Sequence, residues 1–214
     1  MRIYAVADLH GNAKKISKIK QIISREAPDI LVIAGDITNY FSPLKTLAML
    51  RDIPIPIVCI RGNSDLKQVE RLLHNQKNTT LLGHSPFIFQ DTGFIGLSGT
   101  IPLPFASKIC FKENKRLNAL KPYITRQTIL VIHPPPRGVC DKVGNKFCAG
   151  SFNLKHFIED NQPLMVLCGH IHEQAGYQFL KNTIVVNCAM NKNFNGAIID
   201  SCKNMPLKVK MVQT

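Results

Sequence analysis

The sequence has no hydrophobic run long enough to cross a bilayer, so a membrane-spanning helix is not expected. At the amino terminus, MRIYAVADLH, Asp8 and His10 interrupt the apolar residues almost at once. That leaves no hydrophobic segment of a secretory signal, and a soluble, cytoplasmic protein is the expectation. No Pro/Ser linker, charge block, low-complexity segment or solenoid-length repeat divides the 214 residues, which suffice for one well-buried core. A single domain over 1–214 is therefore expected. The seven cysteines (Cys59, Cys110, Cys140, Cys148, Cys168, Cys188 and Cys202) are odd in number and contain no CxxC pair, which argues against a disulfide framework or a thiolate zinc site. Cys59 and Cys168, inside apolar runs, read as small buried side chains.

Acidic residues are scarce as well. Fourteen Asp and Glu against 27 Lys and Arg leave a net charge of +13, which would concentrate anionic substrates or nucleic acid. Yet Lys14, Lys15, Lys18 and Lys20 occupy the helix face opposite a row of isoleucines, and Tyr and Phe are not interleaved with lysines as stacking platforms would require. A solvated basic surface is the first reading and nucleic-acid binding the second.

What the chain does have is five short apolar runs: IYAVA (3 to 7), ILVIA (30 to 34), PIVCI (56 to 60), TILVI (128 to 132) and LMVLC (164 to 168). They are β-branched and continuous rather than alternating, as strands covered on both faces should be. Ile16, Ile19, Ile22 and Ile23 make one helical stripe between the first runs, and Leu66, Val69, Leu72 and Leu73 make another. Ser42 before Pro43 marks the start of a further helix, with Ser42 as its N-cap. This strand–helix alternation predicts an α/β protein with parallel strands. Hairpins are expected over 87–99, turning at DTG, and over 177–188, turning at KNT, with a helix near 151–160 and a loop from Gly99 to Phe111. The expected architecture is two packed sheets with helices outside.

Each buried run ends in polar residues of one kind: DLH (Asp8, His10), GD (Asp36), GN (Asn63), H (His133) and GHIH (His170, His172). Ligands of open α/β sheets gather at the carboxyl ends of the strands, so the five corners should converge on one crevice. His74, His84 and His156 fall in helix or turn contexts and read as bystanders. Oxygen and imidazole donors of this hardness suit Mn²⁺, Fe²⁺ or Zn²⁺. Seven donors exceed what one ion with an open position needs, whereas two ions about 3.5 to 4 Å apart, sharing a carboxylate, would use them all. That chemistry is hydrolysis of a phosphoester. Taken singly, each corner is an ordinary turn, since Asp, Asn and Gly are common turn formers; the information lies in the conjunction.

The set DLH, GD, GN, H and GHIH resembles the signature of the calcineurin-like metallophosphoesterase superfamily, which reads D-x-H, G-D-x, G-N-H-D/E, a later His and G-H-x-H. The runs HPPPRGVCD (133 to 141) and AGSFNLKHFIEDNQPLMVLCGHIHE (149 to 173), with TIVVN, are similar to its small prokaryotic Icc-related branch. The resemblance implies a four-layer double β-sandwich flanked by helices. It implies two divalent ions, Mn²⁺ first and Fe²⁺, Zn²⁺ or Ni²⁺ as alternatives. Asp8, His10 and His172 would hold one ion, Asn63, His133 and His170 the other, and Asp36 would bridge them. The implied reaction is attack of a metal-bridging hydroxide on a small or nucleotide phosphoester, more readily a diester than a monoester.

Where most of the superfamily carries His after the motif's Asn, this chain has Ser64, a donor to phosphate but a poor general acid. Asn63, Ser64 and Arg137 are candidate substrate contacts, and Lys142 a further one. Asp65, with Gln68 three positions on, reads as a helix cap. Cys188, Ala189 and Met190 replace the Gly- or Pro-containing loop of many relatives, which predicts a different pocket rim. The alternative function is a metal-binding scaffold that keeps the fold without turnover.

Overall fold

The computed structural model describes residues 1–39, 42–99, 108–144, 146–201 and 206–214, the side chains of 108–112 excepted. All five apolar runs are strands: β1 (Arg2–Val6), β2 (Ile30–Ala34) and β3 (Ile57–Ile60) in the first half, β7 (Thr128–Ile132) and β10 (Met165–Cys168) in the second. Their neighbours are β4 (Thr79–Leu81), β5 (Phe87–Phe89), β6 (Thr92–Leu97), the short pair β8 (Lys142–Val143) and β9 (Phe147–Cys148), β11 (Gly176–Leu180), β12 (Thr183–Asn187), β13 (Phe194–Asp200) and β14 (Lys208–Gln213). Two six-stranded sheets result, in the orders β14-β13-β1-β2-β3-β4 and β11-β12-β10-β7-β6-β5.

Alternation along each central strand assigns its two faces to two different cores. Ile3 and Ala5 of β1, Ile30 and Val32 of β2, Ile129 and Val131 of β7, and Met165 and Leu167 of β10 fill the space between the sheets. The intervening Tyr4, Val6, Leu31 and Ile33 point the other way, onto α1 (Ala13–Glu26), α2 (Pro43–Arg51) and α3 (Gln68–His74). Leu130, Ile132 and Val166 pack outward against α4 (Lys108–Leu120) and α5 (Phe152–Asn161). Continuous apolar runs are thus required because both faces are covered. The result is the expected helix–sheet–sheet–helix stack, and no described helix is long and apolar enough to cross a membrane.

Both hairpins and the 151–160 helix form, with turns at Gln90–Asp91 and Lys181–Asn182. The Ser151 hydroxyl caps α5 by accepting from Leu154 N at 3.1 Å. Of two expected caps, one holds in position only and the other is corrected. Ser42 is the N-cap residue of α2 and Pro43 its first residue, as expected, but the Ser42 side chain makes no capping bond; its own N–H donates to Asn39 Oδ1 at 2.7 Å. Asp65 does not cap α3, whose N-cap is Lys67. The loop expected over 99–111 falls mostly on residues 100–107, outside the described residues, and Lys108 already begins α4. The five described cysteines are free thiols.

Candidate metal centre

The loop after β1 is laced to the loop after β2: Asp8 N–H donates to Gly35 O, His10 N–H to Asp36 O and Gly11 N–H to Ile37 O, at 2.9–3.1 Å. Parallel pairing puts the ends of neighbouring strands side by side, so polar residues far apart in sequence meet at one edge. Asp8, His10, Asp36 and His170 all take positive φ, between 49° and 69°. Four non-glycine residues in this region carry backbone strain, which persists where surrounding bonds over-determine the conformation and clusters at functional sites. Glycines let the carboxylates press against backbone: a Cβ on Gly62 would lie 2.1 Å from Asp36 Oδ1, and one on Gly169 2.6 Å from Asp8 Oδ2.

Two groups of ligand-type atoms emerge, Asp8/His10/His172 and Asp8/Asp36/His133. Asp8 Oδ1 lies 3.1 Å from His172 Nε2 and 3.9 Å from both His10 Nε2 and His133 Nε2. Asp36 Oδ2 lies 3.3 Å from His133 Nε2 and 3.9 Å from His10 Nε2. His10 thus reaches both carboxylates. His133 Nδ1–H donates to the Ala34 carbonyl at 2.8 Å, which turns Nε2 toward the cluster, its lone pair inward when the ring is neutral. Despite these short approaches, Asp8 Oδ1, His133 Nε2 and Asn63 Oδ1 are buried and have no hydrogen-bond partner. Buried polar atoms are normally satisfied. Asp8 Oδ1 and His133 Nε2 lie together in the crevice, and Asn63 adjoins Ser64, whose hydroxyl bonds Asp36; oxygen and imidazole donors of this kind fit divalent metal ions of borderline hardness.

Burial works against ionisation of Asp36, yet His133 and two bonds from Ser64 outweigh it and hold the carboxyl well below its usual range. Asp8 is also lowered, burial being outweighed by His172 and His133. His133 is raised: burial disfavours its cation, but Asp36 and Asp8 more than compensate. His172 is raised chiefly by Asp8, and His170 is lowered by burial and by neighbouring His133.

The sequence-predicted residues reach this crevice to different degrees. His170 donates its backbone N–H to Asp8 Oδ2 at 3.0 Å, and its ring packs edge-on against His133, 5.2 Å between centroids. Ser64 turns to Asp36 rather than outward: its N–H donates to Oδ1 and its hydroxyl to Oδ2, both at 2.8 Å. Arg137 is engaged within its own loop, donating to the Cys148 carbonyl and lying 4.8 Å from the centre of the Phe152 ring. Asp65 is a buried brace. It accepts from Ile37 N, Thr38 N, Thr38 Oγ1 and Gly62 N at 2.7–3.0 Å, tying the loop of Asp36 to the loop of Asn63. Of the remaining histidines, His74 and His84 are exposed and His156 pairs with Glu159 at 3.4 Å.

Three further residues escaped the sequence reading. Lys15 donates its ammonium to the Asp8 carbonyl and, at 2.7 Å, to that of Met190. Burial, the larger influence, lowers its pKa. Asn187 donates to the carbonyl of Ile171, between His170 and His172, at 2.9 Å. Asn191 donates to the His172 carbonyl at 2.6 Å. Only Asn187 carried a signal, as a polar residue closing the buried run TIVVN. Lys15 was hidden among surface lysines.

Residues 1–174 match the family described as calcineurin-like phosphoesterase. Over 216 residues the chain is 28% identical to the uncharacterized protein MJ1162 of Methanocaldococcus jannaschii, covering 96% of this chain and 94% of that one. A shorter stretch of 83 residues is 24% identical to phosphodiesterase YfcE of Escherichia coli, 35% of this chain and 45% of YfcE. The solved structure of TT1561 from Thermus thermophilus shares the fold, with a TM-score of 0.74 at 16% identity over 98% of each chain. Because the matched segment contains all five polar corners and both groups of Asp and His ligand atoms, the chain belongs to the calcineurin-like phosphoesterase family.

Proposed function

We propose that this protein is a dinuclear metal-dependent phosphodiesterase. The observation that carries the reading is the convergence of unpaired, buried donors at the strand ends. In this reading Asp8, His10 and His172 hold one divalent ion and Asn63, His133 and His170 the other, with Asp36 shared; Mn²⁺ is the first candidate. The unpaired Oδ1 of Asp8 lies 3.9 Å from His133 Nε2, so the two candidate ligand sets adjoin. When bound, the ions would clamp phosphoryl oxygens and acidify a water nucleophile.

The chain's own residues bear on the leaving group. The Ser64 hydroxyl proton is directed at Asp36, so Ser64 orients a carboxylate instead of protonating a leaving group. A site without that acid depends on leaving groups that depart as stable anions, which disfavours alkyl leaving groups in monoesters and diesters alike. The diester reading is supported by the name of the similar phosphodiesterase YfcE.

The test is hydrolysis of bis(4-nitrophenyl) phosphate beside 4-nitrophenyl phosphate, after chelation and resupply of Mn²⁺, with Asp36→Asn as control. Faster, metal-dependent diester turnover that is lost in the variant is the expected result. Metal bound without turnover of either ester would favour the scaffold alternative. No binding of Mn²⁺, Fe²⁺, Zn²⁺ or Ni²⁺ would overturn both readings.

A further inference from the structure

β12 belongs to one sheet and β13 to the other, so the segment between them passes from one half of the molecule to the other beside the candidate metal centre. It is bonded to the residue that precedes Asp8. Ala7 N–H donates to the Cys188 carbonyl and Met190 N–H to the Ala7 carbonyl, both at 3.0 Å. Lys15 adds a further tie, donating to the Met190 and Asp8 carbonyls. An asparagine stands at each end of this segment: Asn187, fully buried, closes β12, and Asn191, partly exposed, precedes β13.

Backbone donors decide how both amides lie. Asn187 Oδ1 accepts from Ala189 N at 3.1 Å, and Asn191 Oδ1 accepts from Asn193 N and Phe194 N, each at 2.8 Å. With the oxygens so engaged, the NH₂ groups must be the donors on the other side. They grip consecutive carbonyls. Asn187 Nδ2 donates to the Ile171 carbonyl at 2.9 Å and to that of Cys140 at 3.4 Å, and Asn191 Nδ2 donates to the His172 carbonyl at 2.6 Å. The gripped turn carries His170, whose φ of 69° needs surrounding bonds to hold it, and His172, whose Nε2 comes within 3.1 Å of Asp8 Oδ1. Asp8 follows a strand of one sheet and His172 a strand of the other, and the segment is bonded to both sides.

We infer that Asn187 and Asn191 are positioning residues for the metal centre: by holding the carbonyls of Ile171 and His172 they keep the His172 imidazole in register with Asp8, and so set the affinity for the ion placed on Asp8, His10 and His172. The inference rests on the proposed metal centre. Its test is a Mn²⁺ titration of the full chain, followed by the electron paramagnetic resonance signal of the free ion, with Asn191→Ala and Asn191→Asp. The aspartate still offers an oxygen to Asn193 and Phe194, which keeps their turn, but it faces the His172 carbonyl with oxygen instead of N–H. Its added charge alone would attract a cation. Both variants should nonetheless bind Mn²⁺ roughly ten- to a hundredfold more weakly, the usual effect of losing a group that orients a metal ligand. Wild-type or tighter binding by Asn191→Asp would mean that Asn191 only shapes its own turn, and would overturn the assignment.

Hydrogen exchange in the metal-free protein gives a second readout. The N–H groups of Gly169, His170, Ile171 and Gln174 are bonded within or beside the gripped turn. Both Asn191 variants, and Asn187→Ala where it folds, should exchange these amides faster while β1, β2 and β3 keep their protection. Unchanged exchange in the turn, or faster exchange throughout the molecule, would refute a positioning role. Wild-type protein that takes up no divalent ion would overturn the metal centre and this inference together, whereas normal uptake by wild type and both Asn191 variants would overturn the inference alone.

Discussion

Ser64 is the residue whose sequence reading and structure differ most usefully. The sequence sees a missing acid; the structure sees two hydrogen bonds on Asp36. Ser64→Ala removes one of them, and loss of such a supporting bond typically weakens metal affinity about tenfold or more. Calorimetric Mn²⁺ titration should show that loss while the melting temperature of the metal-free protein barely moves; unchanged affinity would rule out the orienting role. Lys15 belongs to the same scale. An ammonium in the first turn of α1 opposes the helix dipole, but its charged bonds to the Asp8 and Met190 carbonyls, worth about 1.5–3 kcal/mol each at most, offset the strain of Asp8. Lys15→Met should lower metal affinity, and Lys15→Arg should restore part of it. Equal affinity in wild type and Lys15→Met would sink this role. The charge states also set a pH dependence. His133 and His172 are raised in the folded protein, so without metal they stabilise it below the unfolded value of about 6.5, and that contribution fades as pH rises through the raised values. Metal needs neutral imidazole. Binding should therefore release protons near neutrality and weaken as pH falls, which calorimetry in two buffers of different ionisation enthalpy would measure; no proton release would contradict it.

At the scale of elements, the stripes and buried runs were legible because burial on both faces of a strand, or on one face of a helix, leaves a periodic trace. Ile16, Ile19, Ile22 and Ile23 are all buried, as their spacing required. β13 and β14 were not foreseen; β14 has one covered face and an exposed edge, with lysines at 208 and 210, and short runs of that kind resemble loops. Asp65 shows the limit of local pattern. Its capping-type spacing to Gln68 is real, yet the side chain is claimed by the loops that follow β2 and β3. Asp65→Ala would strand three buried backbone N–H groups, so we expect a loss of at least about 3 kcal/mol in urea denaturation, together with weaker metal binding. A loss under about 1 kcal/mol would mean that the loops hold without the brace.

On the scale of the whole molecule, two sheets bring their carboxyl edges together so that donors from both halves of the chain face one another across the crevice. Metal should then act as a clamp between the sheets. At a hundredfold excess over Kd, binding to the folded state alone contributes about 2.7 kcal/mol. For a protein of this size that corresponds to a melting temperature roughly 5–10 °C higher with Mn²⁺ than with chelator. Coincident melting curves under the two conditions would show that the donors do not hold the ion in the folded state.

By itself the sequence determined the fold class and named the candidate donors, since hydrophobic periodicity and the residue closing each buried run are local properties of the chain. It could not determine how those donors are supported. Ser64 on Asp36, Lys15 on Asp8 and Met190, Asp65 across two loops and Asn187 on Cys140 join residues 7 to 175 positions apart. Such bonds exist only once parallel pairing has set the strand ends side by side, and tertiary structure alone decides that.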